Sequence, residues 1–121
     1  MTHDNLKERT FRFAVTSIRS AKPPIGDPVG RHLVGQVIRS GAGVASNYNA
    51  ACHAKSRPDF ASKVTVVAEE AAETVLWFRL FVELDLLAGP AVEPLIKEGQ
   101  ELASIAVASA RTARRPQRDR V

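Results

Sequence analysis

A chain of 121 residues with 45% apolar residues is long enough to bury the core of one domain and too short for two. Its single cysteine, Cys52, excludes an intramolecular disulfide and a zinc site built from several cysteines, and it fits a reducing compartment. No apolar run approaches the roughly 20 residues of a membrane helix, and the first residues lack a signal-peptide pattern. We therefore expect a cytoplasmic protein without membrane contact.

The net charge of +4 is unevenly distributed along the chain. Residues 1–63 carry ten Lys or Arg and four Asp or Glu, whereas residues 64–110 carry two and eight. Residues 111–121 add five Arg and one Asp, so the excess lies in the C-terminal segment. A protein that grips nucleic acid usually carries its excess on the folded face, and complementary halves favour self-association instead.

Two amphipathic helices are predicted in the first half. The first covers about residues 4–21 and ends at the adjacent prolines of residues 22–28. Its core side is predicted to be the apolar stripe of Phe11, Ala14, Val15 and Ile18. The second helix covers about residues 29–54 and contains Gly35, Gly41 and Gly43. Each glycine costs about 1 kcal/mol relative to Ala, which indicates close packing of helices there.

Two more helices are predicted in the second half. The third covers about residues 58–87, and its apolar residues recur at alternating four- and three-residue spacing, as in helical bundles. The fourth covers about residues 91–113, after a Gly-Pro turn. Residues 114–121 are predicted to be a basic, disordered tail. Short connections favour antiparallel neighbours, so residues 1–113 are predicted to form an all-α, up-down-up-down four-helix bundle.

Three segments carry a resemblance to a known family. They read QVIRSGAGVASNYNAAC at residues 36–52, AKSRPDFASK at residues 54–63 and EEAAETVLWFRL at residues 69–80. The chain resembles the bacterial four helix bundle proteins, which include products of reading frames in intervening sequences of large-subunit ribosomal RNA genes. The accessory variability proteins of diversity-generating retroelements are related to them. The matching residues are Arg39, Ser40, Val44, Asn47, Tyr48, Ala51, Ser56, Arg57, Asp59, Phe60, Lys63, Glu70, Ala71, Glu73, Thr74 and Trp77.

The resemblance implies a ring-like homo-oligomer, commonly a pentamer, without established catalysis. For the retroelement relatives it implies binding to a reverse transcriptase and to nucleic acid. The chain departs from the family pattern at three positions: Ala50 stands in place of Glu, Gly43 in place of Ser, and Glu69 in place of Lys.

Three charged residues are expected to meet between the second and third helices. If these helices form a hairpin, the numbers of facing positions sum to about 112. Arg39 then faces Glu73, and Glu70 lies opposite Gly41 or Ala42. The cluster either fixes the register of the helices or forms a polar site within the bundle or at a subunit contact.

Asn47 and Trp77 are the other candidates for a structural or subunit contact. Because Asn is a poor residue for the middle of a helix, we expect Asn47 to bond the third helix or a neighbouring subunit. Trp77 lies one position away from the apolar stripe of its helix. Since Trp is enriched at interfaces, Trp77 fills either the bundle or a subunit interface.

Arginines near the C-terminus are the strongest nucleic-acid feature of the sequence. They are Arg111, Arg114, Arg115, Arg118 and Arg120. Such a run is either a solvated chain end or a basic arm that docks on phosphates. The histidines lack metal-ligand spacing, and no nucleophile motif is present. We therefore expect no enzyme, metal or cofactor. The expected partners are copies of the chain itself. The alternative is nucleic acid or a nucleic-acid-processing protein, bound through the Arg-rich C-terminal tail and the basic surface of the first two helices.

Overall fold

The structure is a computed structural model that describes residues 3–116, and at residues 3 and 4 it describes the backbone only. The elements are α1 (His3–Ser20), α2 (Pro28–Cys52), α3 (Arg57–Glu83) and α4 (Gly89–Arg114). Each helix packs against its neighbour in the chain, and α4 returns to contact α1. The predicted all-α, up-down-up-down four-helix bundle is confirmed, and no strand occurs within the described residues.

Helix starts are set by short polar side chains followed by proline. The carboxylate of Asp27 accepts a hydrogen bond from the Gly30 amide at 2.8 Å, and Pro28 begins α2. The Ser56 hydroxyl accepts from the Asp59 amide at 3.1 Å at the start of α3. These bonds satisfy amides that have no partner inside the helix.

The third helix ends earlier than predicted. It stops at Glu83 rather than near residue 87, because Asp85 adopts a left-handed conformation with φ of 57°. The Leu86 amide then donates to the Phe81 carbonyl at 2.8 Å, which closes the helix as a C-terminal cap. Asp tolerates this conformation better than most residues do, so the chain turns before it reaches Gly89.

The core lies along the predicted stripe of α3. Phe78 and Phe81 are both fully buried, with ring centroids 6.0 Å apart. Val64, Val67, Ala71 and Thr74 are buried on the same side, and Phe60 is half-buried at the end of the bundle. This prediction is confirmed because α3 packs against both α2 and α4, so its stripe has neighbours on both sides.

The predicted core stripe of α1 is wrong. Phe11 and Ile18 are 51% and 37% exposed, and Ala14 is the only fully buried residue of that stripe. The buried side of α1 consists instead of Thr10, Phe13, Ala14, Ser17 and, just past the helix, Ala21. The buried Thr10 hydroxyl donates to carbonyls of its own helix, at 2.9 Å and 3.0 Å. The Ser17 hydroxyl, in contrast, is buried without a hydrogen-bond partner among the described residues. The packing of α1 against its neighbours therefore decides which side is buried, and not the apolar character of the stripe.

Gly41 and Gly35 of α2 have different environments. A Cβ at Gly41 would lie 3.6 Å from the Ser17 Cβ, so this glycine does mark the close approach of α1 and α2. Gly35 has nothing within 4 Å and does not serve helix packing. Another tight helix contact is at Gly99 of α4, where an added Cβ would lie 2.5 Å from Val75 Cγ2.

Candidate interaction surfaces

The predicted pair of Arg39 and Glu73 forms between α2 and α3. Arg39 Nη2 lies 2.7 Å from Glu73 Oε1, and Arg39 Nη1 lies 3.4 Å from Glu70 Oε2. Arg39 Nε also donates to Gln36 Oε1 at 3.2 Å. The bond to Glu73 holds the pKa of Arg39 above its ordinary value. Because Arg39 is half exposed, this cluster fixes register more than it contributes stability.

Glu70 lies opposite Gly43, one residue beyond the predicted Gly41 or Ala42. A Cβ at Gly43 would come within 2.5 Å of Glu70 Oε2, so the glycine leaves the space that the carboxylate occupies. Burial, and next the charge of Glu73, raise the pKa of Glu70. The departure from the family pattern at Gly43 is therefore coupled to a partly desolvated acid.

We expect Glu70→Gln to change how stability depends on pH. The folded protein holds the Glu70 proton more tightly than the unfolded chain does, because the pKa of Glu70 is raised. Ionisation of Glu70 therefore lowers stability as pH rises from the usual range of a Glu, about 4.3, through the folded pKa. Over this pH range, the free energy of unfolding of the wild type should fall relative to that of Glu70→Gln. The decrease should be less than about 1 kcal/mol, because solvent screens the site.

Urea denaturation of both chains between about pH 4 and pH 7 measures this difference, since this range spans the titration of a Glu. Glu73→Gln is the matched control, because it removes the shorter bond to Arg39 and should be less stable than Glu70→Gln at neutral pH. A wild type that gains stability over Glu70→Gln as pH rises would contradict the desolvation of Glu70.

A buried hydroxyl pair lies beside this ion cluster. The Ser40 and Thr74 side-chain oxygens are 2.7 Å apart, and both residues are fully buried. Thr74 donates its single proton to the Glu70 carbonyl at 2.8 Å, so the Ser40 hydroxyl donates to Thr74. The pair joins α2 to α3 at one fixed register.

The predicted bond from Asn47 to the third helix is wrong. Its amide nitrogen donates to the Gly43 carbonyl at 2.8 Å, one turn earlier in α2. This local bond satisfies a polar side chain in mid-helix without a partner helix. Trp77 packs partly buried against the core, and its indole nitrogen is buried without a partner among the described residues. A subunit contact of either residue stays a prediction.

A second ion cluster, which the sequence did not reveal, joins α1 to α4. Arg9 Nη2 lies 2.6 Å from Glu98 Oε1 and 3.3 Å from Glu101 Oε1. These bonds raise the pKa of Arg9. Arg9 and Glu98 are 89 positions apart in the chain, so only the return of α4 to α1 brings them together. The basic and acidic halves of the sequence are thus partly neutralised inside one bundle.

The predicted arginine tail is divided by the structure. Arg111 and Arg114 belong to α4, Arg115 follows it, and Arg118 and Arg120 lie outside the described residues. Arg57 of α3 donates to the carbonyls of Thr112 at 3.1 Å and Arg115 at 3.5 Å. Arg57 therefore caps the end of α4, a role that sequence reasoning missed.

Three arginines come together at this end of the bundle. Arg57, Arg114 and Arg115 line a cleft of about 450 Å³, together with Ser62. The nearby acid Asp59 is bonded to Lys63 at 2.8 Å, which holds the pKa of Asp59 below its usual value. The cleft therefore presents a positive potential made from α3 and α4, and not from a tail alone.

Residues 3–116 contain no group of three His, Cys, Asp or Glu placed to hold a metal ion. No helix within those residues is long and apolar enough to cross a membrane.

These helices and their contacts define a four-helix bundle, the fold that the resemblance implies. A solved structure from Bacteroides thetaiotaomicron, titled as a protein with unknown function from the S23 ribosomal protein family, superimposes with a TM-score of 0.77. The two chains are 24% identical, and the match covers 85% of this chain and 95% of that chain. At this identity the likeness shows the fold alone. No family model matches the chain, and no curated protein matches it.

Proposed function

We propose that this chain is a non-enzymatic, cytoplasmic scaffold or accessory binding protein that assembles with copies of itself, through head-to-tail contacts that close into a ring. The resemblance supports a ring of about five subunits, and the charge pattern supports the head-to-tail contact. The observation that carries the proposal is the position of the exposed charged side chains that form no ion pair within the chain.

The exposed charges without an ion pair differ between the two sides of the bundle. Among the described residues of α1 and α2 they are bases, which include Lys7, Arg19 and Arg31. On α3 and α4 the acids Glu69, Glu83 and Glu93 lie among exposed bases that include Arg79, Lys97 and Arg111. The α1–α2 side is opposite the α3–α4 side in the square of helices. The basic side of one chain can therefore meet the acids of the mixed side of the next copy.

Size-exclusion chromatography with light scattering, at low and high salt, tests this proposal. One chain has a mass of 13.1 kDa, and we expect a discrete species near five times that mass at low salt. The complex should weaken as salt is raised, because screening reduces contacts between exposed charges. A monomer at micromolar concentration and low salt would contradict the proposal.

A second candidate function is nucleic-acid binding at the arginine cleft. The observation that favours it is the convergence of Arg57, Arg114 and Arg115 on one cleft, since arginines suit phosphate recognition. Single-stranded stacking is not supported, because the chain has one Trp and one Tyr. A scaffold whose subunits each carry this cleft would present several basic sites to one nucleic acid or to a nucleic-acid-processing protein.

The test of this second function changes charge and leaves the helix intact. Deletion of residues 111–121 would remove the Thr112 carbonyl that Arg57 caps, so Arg114→Gln with Arg115→Gln is the better variant. We expect weaker binding to RNA and DNA of any sequence, and a salt dependence of log K reduced by roughly 1 for each lost phosphate contact.

Fluorescence anisotropy with labelled oligonucleotides at several salt concentrations measures both quantities. The matched control is Arg79→Gln with Lys97→Gln, which removes two exposed bases that do not line this cleft. Equal losses from both double variants would show that only net charge matters and would contradict a site at the cleft.

A further inference from the structure

A pocket of about 620 Å³ lies at the end of the bundle where α1 and α3 begin and α2 and α4 end. Every helix contributes a large side chain to its lining: Leu6, Tyr48, Phe60 and Ile105 come from α1, α2, α3 and α4 in turn. Leu6, Phe60 and Ile105 are half-buried, so their apolar surface is available to a ligand. The volume falls in the range of about 300–1,000 Å³ that is usual for small-molecule sites. We call this site the end pocket.

Arg57 places a positive charge at one edge of the end pocket, and it is the single charged residue among the described residues of the lining. Its Nη2 donates to the carbonyls of Thr112 and Arg115, whereas Nε and Nη1 make no hydrogen bond to the described residues. A guanidinium has five N–H donors, so some remain for a ligand. Arg57 also forms no ion pair with a carboxylate within residues 3–116. Its charge is therefore left to be balanced by an anion.

The surrounding charges disfavour a cation in this pocket. Arg114 and Arg115 lie with Arg57 in the neighbouring arginine cleft, and the nearby carboxylate of Asp59 is already bonded to Lys63. The end pocket therefore lies in a positive potential. A planar guanidinium with free donors matches the planar, singly charged carboxylate group, so a carboxylate is the anion that this edge fits.

The pocket separates its apolar end from its charged end. Along α4 the lining extends from Ile105 to Thr112, which corresponds to about 10 Å of helix. The Thr112 carbonyl is 3.1 Å from Arg57 Nη2, so Arg57 marks the end that lies away from Ile105. A ligand that reaches both ends needs an apolar body of similar length with its anionic group at one end.

We propose that the end pocket binds a small amphipathic carboxylate. The apolar body of this ligand packs against Leu6, Phe60 and Ile105, and its carboxylate accepts hydrogen bonds from Arg57. Residues of a single bundle build the whole site, so it depends neither on self-assembly nor on nucleic-acid binding.

Isothermal titration calorimetry of the 121-residue chain with sodium octanoate, kept below its micelle-forming concentration, tests this site. We expect saturable binding of one octanoate per chain. Octanol has the same alkyl chain and no charge, so it cannot form the charge-assisted bond to Arg57. It should therefore bind at least about tenfold more weakly than octanoate.

Removal of the charge tests the role of Arg57. Arg57→Gln should weaken octanoate binding by at least about tenfold and should change octanol binding much less, because only the anion needs the guanidinium. Arg79→Gln is the matched control, since Arg79 is an exposed base of the same helix and does not line the pocket. This control should bind octanoate as the wild type does.

A second variant is needed because Arg57→Gln also removes the cap of α4. Ser109→Leu fills the end pocket and leaves Arg57 in place, since Ser109 lines the pocket and its hydroxyl bonds to the Ile105 carbonyl of its own helix. We expect it to weaken both octanoate and octanol by at least about tenfold, with unchanged helical circular dichroism. Ser104→Leu is the matched control, because Ser104 is exposed on the same helix outside the lining.

The outcomes decide the proposal in either direction. Losses in Arg57→Gln and Ser109→Leu, with both controls unchanged, would support it. Equal affinity of the wild type for octanoate and octanol would show that Arg57 does not contact the anion and would overturn it. Unchanged octanoate binding in Ser109→Leu would place the ligand elsewhere on the bundle, and the absence of saturable binding at millimolar octanoate would exclude this class of ligand; each of these results would also overturn it.

Discussion

Phe78→Ala is expected to lower the free energy of unfolding by about 3–5 kcal/mol. Phe78 is fully buried and packs near Phe81 in the middle of the core. Removal of the ring forfeits the transfer of apolar surface from water and leaves a cavity that the two neighbouring helices cannot close. Since domains of this kind are stable by about 5–15 kcal/mol, the substitution should remove a large share of the protein's free energy of unfolding.

Urea denaturation followed by circular dichroism measures this loss, and Phe11→Ala is its matched control. Phe11 is 51% exposed, so at a dilution where the chain is monomeric the control should cost less than about 1 kcal/mol. Equal losses from the two variants would mean that Phe11 is a core residue, as the sequence pattern suggested, and would contradict the orientation of α1.

Gly99→Ala is expected to destabilise the bundle by about 1–3 kcal/mol, although alanine is the better helix residue. The added Cβ would lie 2.5 Å from Val75 Cγ2 and 3.1 Å from Phe13 Cζ. Val75 is β-branched and held in one rotamer within α3, so it cannot move aside alone. The strain therefore separates α3 and α4 or displaces the buried Phe13 ring.

Gly35→Ala provides a control with the opposite sign. Gly35 also lies inside a helix, but an added Cβ meets nothing within 4 Å. The substitution should stabilise the protein by about 0.5–1 kcal/mol, because it restricts the unfolded chain. Chemical denaturation of both variants is sufficient, and stabilisation by Gly99→Ala would show that α3 and α4 are not as close as described.

The architecture could be predicted because its signals are local. Prolines and glycines mark the turns, and the apolar rhythm of α3 continues unchanged from Val64 to Phe81. The pairing of Arg39 with Glu73 was also predictable, since a hairpin of two adjacent helices leaves one register to choose. These features need only spacing along the chain and the geometry of a helix.

The orientation of α1 could not be predicted in the same way. Two stripes compete on this helix, and the one with Phe11, Val15 and Ile18 is the more apolar. The buried stripe contains Thr10 and Ser17, whose hydroxyls make it look like a solvent side. Only the position of the neighbouring helices decides between them, and a sequence pattern that assumes burial of the most apolar stripe cannot detect that position.

The surface contacts depend on distant parts of the chain. The bonds of Arg9 to Glu98 and of Arg57 to the end of α4 join residues that are 89 and 55 positions apart, so no local spacing indicates them. The bond between Arg9 and Glu98 also explains why the opposite charges of the two halves of the sequence are partly paired inside the bundle. The arginine cleft was likewise hidden, because Arg57 lies far from the C-terminal arginines in sequence.

Self-assembly is the central claim, and the mass of the wild-type chain over a concentration series tests it most directly. Sedimentation equilibrium at low salt should show one closed species with a mass several times 13.1 kDa, which stops growing as concentration rises. A closed species is the signature of a ring, because an open head-to-tail chain would continue to grow. A mass that remains at 13.1 kDa throughout the micromolar range would contradict assembly.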